Sequence, residues 1–353
     1  MKMWAVVGAG VPLECFEEGT PIPVGTEVLM EVTHCGVCHS DLHYWKGEYN
    51  LGKGKTMKVA DRGVTLPRAP GHEVVGRVAA LGPDASGVKV GDLRIIYPWI
   101  GCGNCARCVA GEDNLCASQT SIGVVRHGGF SSHVVAPHPR YLVDPGTVDP
   151  GLAATYACSG ITAYSAVRKL GDVPPDSPVV LIGAGGLGHT AITMLQALGH
   201  RNIVVVDIDA AKRQSALDAG ASAVVDGRSE NLTEAIMQAA GQPLLYAIDF
   251  VNATETATAA FDSLAHGGTL VLAGAAGGTL ELSLAPMIFK PRAVVGTKTG
   301  TIQDLKDVIA LAEAGKLKPI PIEHMAFDQA FEALMRLKDG AVTGRVVLDH
   351  PCC

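Results

Sequence analysis

Several things are missing from this chain of 353 residues, and each absence closes off a class of function. No run reaches the ~18 consecutive apolar residues of a membrane span, although 48% of the residues are hydrophobic. There is no excess of positive charge. The 28 Lys and Arg stand against 35 Asp and Glu for a formal net charge of −7, so nothing here attracts nucleic acid or an anionic membrane surface, and neither is expected as a partner. The opening Met1-Lys2-Met3-Trp4-Ala5-Val6-Val7-Gly8 turns to Gly and Pro before a signal-peptide core can form, which makes the cytoplasm the expected location. In that setting ten cysteines favour metal binding over a disulfide framework. Internal repeats and low-complexity tracts are absent too. The length suggests two domains, and 42 glycines suggest tight turns and close backbone approaches.

Up to about residue 150 the pattern is of short β-segments, Glu27 to Val32, Glu73 to Leu81, Asp92 to Tyr97 and Ser131 to Val135, separated by Gly, Pro and Asp turns. Beyond Cys158 strands and helices alternate. Val179 to Ile182 is a continuous apolar run, hence a strand buried on both faces. A helical pattern from Leu187 to Leu198 follows, then a strand from Ile203, a helix from Ala210 to Ala219, and further strands at Ala223, Leu245 and Thr269. Repeated βα units of this kind make a parallel, doubly wound sheet. After a strand at Ala293 to Gly296, two amphipathic helices, Ile302 to Ala314 and Phe327 to Leu337, and a closing strand at Arg345 to Leu348 are expected to return to the first domain.

Three stretches carry chemistry. Val37-Cys38-His39-Ser40-Asp41-Leu42-His43 packs a thiol, a hydroxyl, a carboxylate and two imidazoles into seven residues. A catalytic zinc takes three protein ligands and keeps a fourth position open, and the further candidates are His72, in Gly71-His72-Glu73, and Cys158. The second stretch holds Cys102, Cys105, Cys108 and Cys116 in the pattern C-x2-C-x2-C-x7-C, which suits a closed all-thiolate structural site. An iron-sulfur cluster is disfavoured because the fourth Cys of the common ferredoxin run follows after three residues and precedes Pro. The third is Gly183-Ala184-Gly185-Gly186-Leu187-Gly188, a G-x-G-x-x-G loop directly after a buried strand. Its glycines serve the turn, the approach of a pyrophosphate and close helix packing, and the helix N-terminus faces the phosphates. Asp207, 24 residues beyond Gly183, is placed to bond a ribose diol.

With these motifs in this order, over essentially its whole length, the sequence resembles the zinc-containing medium-chain alcohol dehydrogenases. The resemblance implies a mostly β, GroES-like catalytic domain, residues 1–159 and 297–353, and a Rossmann domain at 160–296 that binds NAD. It implies a catalytic zinc on Cys38, His72 and Cys158, a structural zinc on Cys102, Cys105, Cys108 and Cys116, and Glu73 beside the catalytic metal. Asp41 would support the His ligand. Ser40 would stand beside the substrate oxygen, with His43 at the outer end of a proton relay. His39, Thr162, Gly183, Gly185, Gly186, Leu187, Gly188, Asp207, Lys212 and Arg345 would contact the cofactor, and Trp45 and Trp99 would line the pocket. Hydride transfer between an alcohol, aldehyde or ketone and NAD is the expected reaction, and a homo-oligomer, dimer or tetramer, the expected assembly. A zinc-free enone or quinone reductase and a non-catalytic zinc and nucleotide-binding relative are the alternatives. One departure stands out: Cys38 and His72 lie 34 positions apart, a longer interval than usual, and residues 46–68 carry six Lys or Arg against two acids. That segment is expected either to be a solvated loop or to steer an anionic or polar substrate tail.

Overall fold

The computed structural model describes residues 1–351; Cys352 and Cys353, expected to be a frayed tail, lie outside the described residues. Two sheets organise the chain. The first has seven strands, with Ile322–Ala326, Arg345–Asp349, Val28–Val37, Glu73–Leu81, Leu93–Ile96 and Leu142–Val143 in that spatial order and His133–Ala136 also paired to Val28–Val37. The closing strand Arg345–Asp349 runs antiparallel to Val28–Val37, setting Leu348 opposite Cys35. The C-terminal segment therefore returns to the sheet begun near the N-terminus.

Val28–Val37 extends five residues past the expected end at Val32. Its register shifts between Val32 and His34, and such a bulge interrupts the in-out alternation that would have revealed the continuation. The added residues deliver the chain to Cys38.

The second sheet is parallel and six-stranded, in the order Ala223–Asp226, Ile203–Asp207, Val179–Ile182, Leu244–Asp249, Leu264–Leu272 and Ala293–Gly296. Every residue of Val179–Ile182 is buried, as its unbroken apolar run requires. The strand order reverses beside it, and open parallel sheets bind ligands in the crevice at the C-terminal ends of the strands at such a point.

Of the elements unseen in the sequence, two bear on the site. Asp149 caps a helix, Pro150–Thr155, by accepting from Leu152 N at 3.0 Å. The chain continues through a π-helical turn, Tyr156–Gly160, into the helix Ile161–Arg168. Cys158 sits in that turn, buried, and π-turns of this kind recur where a helix must present a functional side chain. The other is a small hairpin, Glu48–Asn50 with Thr56–Lys58, inside the basic segment.

The end of the first sheet carries a pH-sensitive core residue. His350 is 8% exposed, donates from Nε2 to Gly129 O at 3.0 Å and packs on Phe327 with ring centroids 4.1 Å apart. Burial pushes its pKa down to about 4. An unfolded His binds its proton near pH 6.5, so the stability of the neutral buried form is complete above that pH and is lost as the pH falls toward 4. In urea titrations, wild type should lose about 2 to 3 kcal/mol relative to His350→Gln between about pH 7.5 and pH 4.5. A pH-independent difference would contradict this account.

Candidate active site and metal centres

The helix His39–Lys46 begins at Cys38, whose backbone N–H donates to Asp41 Oδ2 at 2.9 Å. The other carboxylate oxygen of Asp41 accepts from Gly71 N at 3.1 Å and lies 3.3 Å from His72 Nδ1. One buried carboxylate thus fixes both the turn that presents the thiol and the ring that faces it. The second nitrogen, His72 Nε2, is buried without a hydrogen-bond partner. It points where a metal would satisfy it. Cys38, His72, Glu73 and Cys158 each bring a ligand atom within 4.8 Å of the others, and all four are buried.

The electrostatics suit a cation. Contact with the Cys158 thiol, with help from His72, holds Cys38 well below the ordinary thiol range against the effect of burial. Burial disfavours a charge on His72, but Asp41 and Cys38 outweigh it and raise its pKa. Burial lifts Glu73 to about 7, opposed by Arg345, with which it forms a buried ion pair. Two thiols and an imidazole are a zinc-type donor set.

The four-cysteine loop is the more exposed cluster. Its sulfurs stand 3.5 Å (Cys105 to Cys108), 3.9 Å (Cys105 to Cys116) and 4.0 Å (Cys102 to Cys108) apart. Tetrahedral zinc with ordinary Zn–S bonds sets its sulfurs about 3.8 Å apart. The backbone N–H groups of Asn104 and Cys105 draw Cys102 down to about 6, and burial pushes Cys108 up to about 12.

The glycine loop has the shape its spacing predicts. Gly183 is left-handed at φ 98°. A Cβ on Gly188 would stand 2.0 Å from Gly183 O, whereas one on Gly185 would meet nothing within 4 Å. The backbone at Gly185 is therefore open to a ligand. A Cβ on Gly186 would strike Arg345 Cδ at 2.4 Å, so the Arg345 side chain lies on the loop while its guanidinium reaches Glu73. Asp207 closes its strand with Oδ2 on Ala184 N at 2.7 Å and Oδ1 on Asp209 N at 2.9 Å. Although no Arg adjoins Asp207 in sequence, Arg213 donates to its carbonyl at 2.8 Å and pairs with Asp226 at 3.1 Å. Lys212 is half-buried on the following helix.

The remaining expected residues separate by position. Trp99 packs on His72, ring centroids 5.4 Å apart, with its own N–H buried and unpaired. Trp45 does not share that place. It is two residues past His43, on another face of the same helix, where Nε1 donates to Val11 O at 2.6 Å and the ring meets Phe331 and Lys338. His43 stacks on Tyr49 at 4.8 Å and 25°, and burial followed by Lys46 lowers its pKa. His39 is exposed and Ser40 half-buried at the start of the helix, while Thr162 is buried one turn beyond Cys158. Cys35 is a core thiol facing Gly71 and Gly129, with its pKa raised by burial, and Cys15 is exposed.

Comparison with known proteins agrees with this geometry. The model for the alcohol dehydrogenase GroES-like domain matches residues 25–145 and that for zinc-binding dehydrogenases residues 186–314. The chain is 34% identical to the NAD-dependent alcohol dehydrogenase of Sulfurisphaera tokodaii, over 99% of each. It is 33% identical to the D-arabinose 1-dehydrogenase (NADP(+)) of Saccharolobus solfataricus, over 96% of this chain and 94% of that one. The crystal structure of the alcohol dehydrogenase from Aeropyrum pernix superposes with a TM-score of 0.89 at 28% identity, covering 99% of this chain and 100% of that one. The chain belongs to the zinc-containing medium-chain alcohol dehydrogenase family.

Gly36 was not singled out by sequence, yet a Cβ there would lie 2.0 Å from Glu73 Oε2. Gly36→Ala should break the Glu73–Arg345 pair and cost about 3 kcal/mol or more, read as a lower urea midpoint. An unchanged midpoint would show that the pair can shift without cost.

Proposed function

We propose that the protein is a zinc-dependent alcohol dehydrogenase that transfers a hydride between an alcohol, or the matching aldehyde or ketone, and NAD. The observation that carries this reading is the unpartnered Nε2 of His72, buried beside the thiols of Cys38 and Cys158. Cys38, His72 and Cys158 would hold the catalytic zinc, and Cys102, Cys105, Cys108 and Cys116 the structural one. When bound, zinc polarises an alcohol oxygen and lowers its proton affinity, and NAD accepts the hydride.

The chain's own residues do the rest. Asp41 orients His72 through Nδ1 and leaves Nε2 for the metal. Trp99 and the buried walls keep bulk water from the site. Ser40 would take the alcohol proton, and His43, stacked on Tyr49 with its pKa lowered by burial, would accept it at the outer end. Gly183, Gly185, Gly186, Leu187 and Gly188 would cradle the pyrophosphate with His39 and Arg345, while Asp207 and Lys212 serve the adenosine ribose and Thr162 contacts the cofactor. Glu73 would stay beside the metal on Arg345. We divide the chain into a catalytic unit, 1–159 with 297–353, and a nucleotide unit, 160–296, in line with its two sheets.

A panel of primary, secondary and aromatic alcohols with NAD+ tests the reading, and turnover of none would defeat it. Cys38→Ser should lose one zinc per chain and ~10²-fold or more in kcat; normal turnover with full zinc would remove Cys38 from the site. NAD should be preferred to NADP because the fixed carboxylate of Asp207 repels a 2′-phosphate. Asp207→Gly should narrow that preference, and equal kcat/KM values in wild type would show that Asp207 does not face the ribose.

The same reading includes a homo-oligomer. Ala293–Gly296 is an edge strand, and the helix before it exposes Leu284, Ile288 and Phe289, an arrangement suited to pairing with a second copy. Light scattering should give a dimer or tetramer for wild type and a smaller species for Phe289→Asp. A monomeric wild type would rule the assembly out.

A further inference from the structure

The segment that follows the first catalytic helix folds an aromatic ring back onto His43. The helix His39–Lys46 stops at Gly47, left-handed at φ 80°, whose N–H donates to Tyr44 O at 3.1 Å. A Cβ at Gly47 would stand 2.9 Å from the Ala9 side chain, so this reversal needs glycine for its space as well as its φ. The chain then enters the hairpin Glu48–Asn50 with Thr56–Lys58, in which Tyr49 is the half-buried middle residue between exposed Glu48 and Asn50. Its ring stacks on His43 with centroids 4.8 Å apart and planes 25° from parallel, inside the range of aromatic pairs, about 4.5 to 7 Å. His43 is three positions beyond Ser40, hence on the same side of the helix.

The hairpin is braced on both sides of Tyr49. Asn50, the next residue, donates from Nδ2 to Ala276 O of the nucleotide unit at 3.3 Å and accepts from Gly52 N at 3.0 Å. Gly52 fits against the carbonyls of Gly278 and Gly277, where a Cβ would stand 3.0 and 3.1 Å away, and Lys53 reaches Glu281 at 3.4 Å. At the other end Val59 N donates to Gly47 O at 2.9 Å, and the Arg62 guanidinium lies 5.9 Å from the centre of the Tyr49 ring. Lys46, Lys55 and Lys58 are exposed. Burial lifts the Tyr49 phenol to about 12, so the ring that meets His43 is uncharged near neutral pH. The charged groups around His43 are Lys46, His39 and Cys38 along its own helix and, beyond Tyr49, Arg62.

We infer that Tyr49 is a positioning residue for the proton relay: its ring holds the His43 imidazole in one orientation and screens it from water, with the hairpin as its support. The inference rests on the dehydrogenase reading, in which NAD takes the hydride and the alcohol proton passes through Ser40 to His43 and on to solvent. A base transfers a proton only from within hydrogen-bonding reach. An imidazole free to turn about its side-chain bonds spends part of its time elsewhere, whereas a stacked one has given up that freedom before substrate arrives.

The test uses the full-length zinc-loaded enzyme with ring-labelled [13C]histidine, the His43 signal being assigned by its loss in His43→Ala. In Tyr49→Ala the His43 ring should titrate at higher pH than in wild type, because burial lowers its pKa and water returns when the ring is removed. Tyr49→Phe keeps the ring and should leave the titration in place. With hexanol and NAD+, Tyr49→Ala should lose about fivefold in kcat/KM, the size of one aromatic stack, and the acid limb of its pH profile should move up. Tyr49→Phe should match wild type. In a His43→Ala background, adding Tyr49→Ala should change neither rate nor profile, since the two residues act as one unit. An unmoved His43 signal in Tyr49→Ala overturns the inference, and so does a loss of the same size with and without His43, which would make Tyr49 a contact of the substrate instead. The underlying reading fails by different signs: a wild type that turns over no alcohol defeats the dehydrogenase, and a His43→Ala profile identical to wild type defeats the relay and Tyr49's part in it.

Discussion

A buried ion pair, Arg345 with Glu73, ties together the parts of this molecule that have to act in concert. The two residues are 272 positions apart in sequence. Glu73 follows the metal-facing His72 at the head of one strand, and Arg345 opens the last strand of the same sheet. The aliphatic part of Arg345 rests on Gly186 of the glycine loop, so the pair also touches the nucleotide unit. Such a pair contributes little net stability, because desolvating two charges offsets most of their attraction. Its effect is on position. Removing either partner strands a charge at a cost of about 3 to 5 kcal/mol, and that penalty holds the closing strand, the metal-bearing strand and the glycine loop in one arrangement.

Room for the pair comes from residues that have no side chain. Gly36 leaves space for Glu73 and Gly186 for Arg345. A Cβ on Gly123 or Gly128 would strike the Gly71 carbonyl, at 2.7 and 2.0 Å, so the turn that presents His72 is hemmed in by backbone. With Asp41 bonded to both Cys38 N and Gly71 N, the ligands are set by contacts that do not require a metal. A site organised in this way loses little conformational entropy when an ion arrives.

What the sequence disclosed follows from how each feature is encoded. The four-cysteine loop, the G-x-G-x-x-G loop and the strand Val179–Ile182 are local patterns, in which spacing along the chain is already spacing in space. The third member of the proposed catalytic metal set was less visible, because Cys158 sits in a π-turn that no periodicity announces; Asp149-Pro150, a cap followed by a first-turn proline, was the available sign of its helix. The contacts of Trp45 with Val11, Phe331 and Lys338 could not be read from the sequence either, because spacing along a helix does not say which neighbours each face meets. The ion pair could not be read from spacing at all, because its partners lie 272 positions apart.

The hairpin segment also differs from the proposed metal ligands in how freely it can vary. Cys38, His72 and Cys158 are buried, and Asp41, Gly36 and Gly71 constrain their surroundings, so most substitutions there cost folding energy as well as chemistry. The hairpin bearing Tyr49 and leading to Arg62 is largely exposed and meets the nucleotide unit through one side-chain amide, a tight glycine and a surface ion pair. A surface ion pair contributes at most about 1 kcal/mol. Length and charge can therefore change in this segment with little effect on the core. The residues that could hold the metal are thus fixed where packing is dense, whereas the hairpin is held by a few surface contacts.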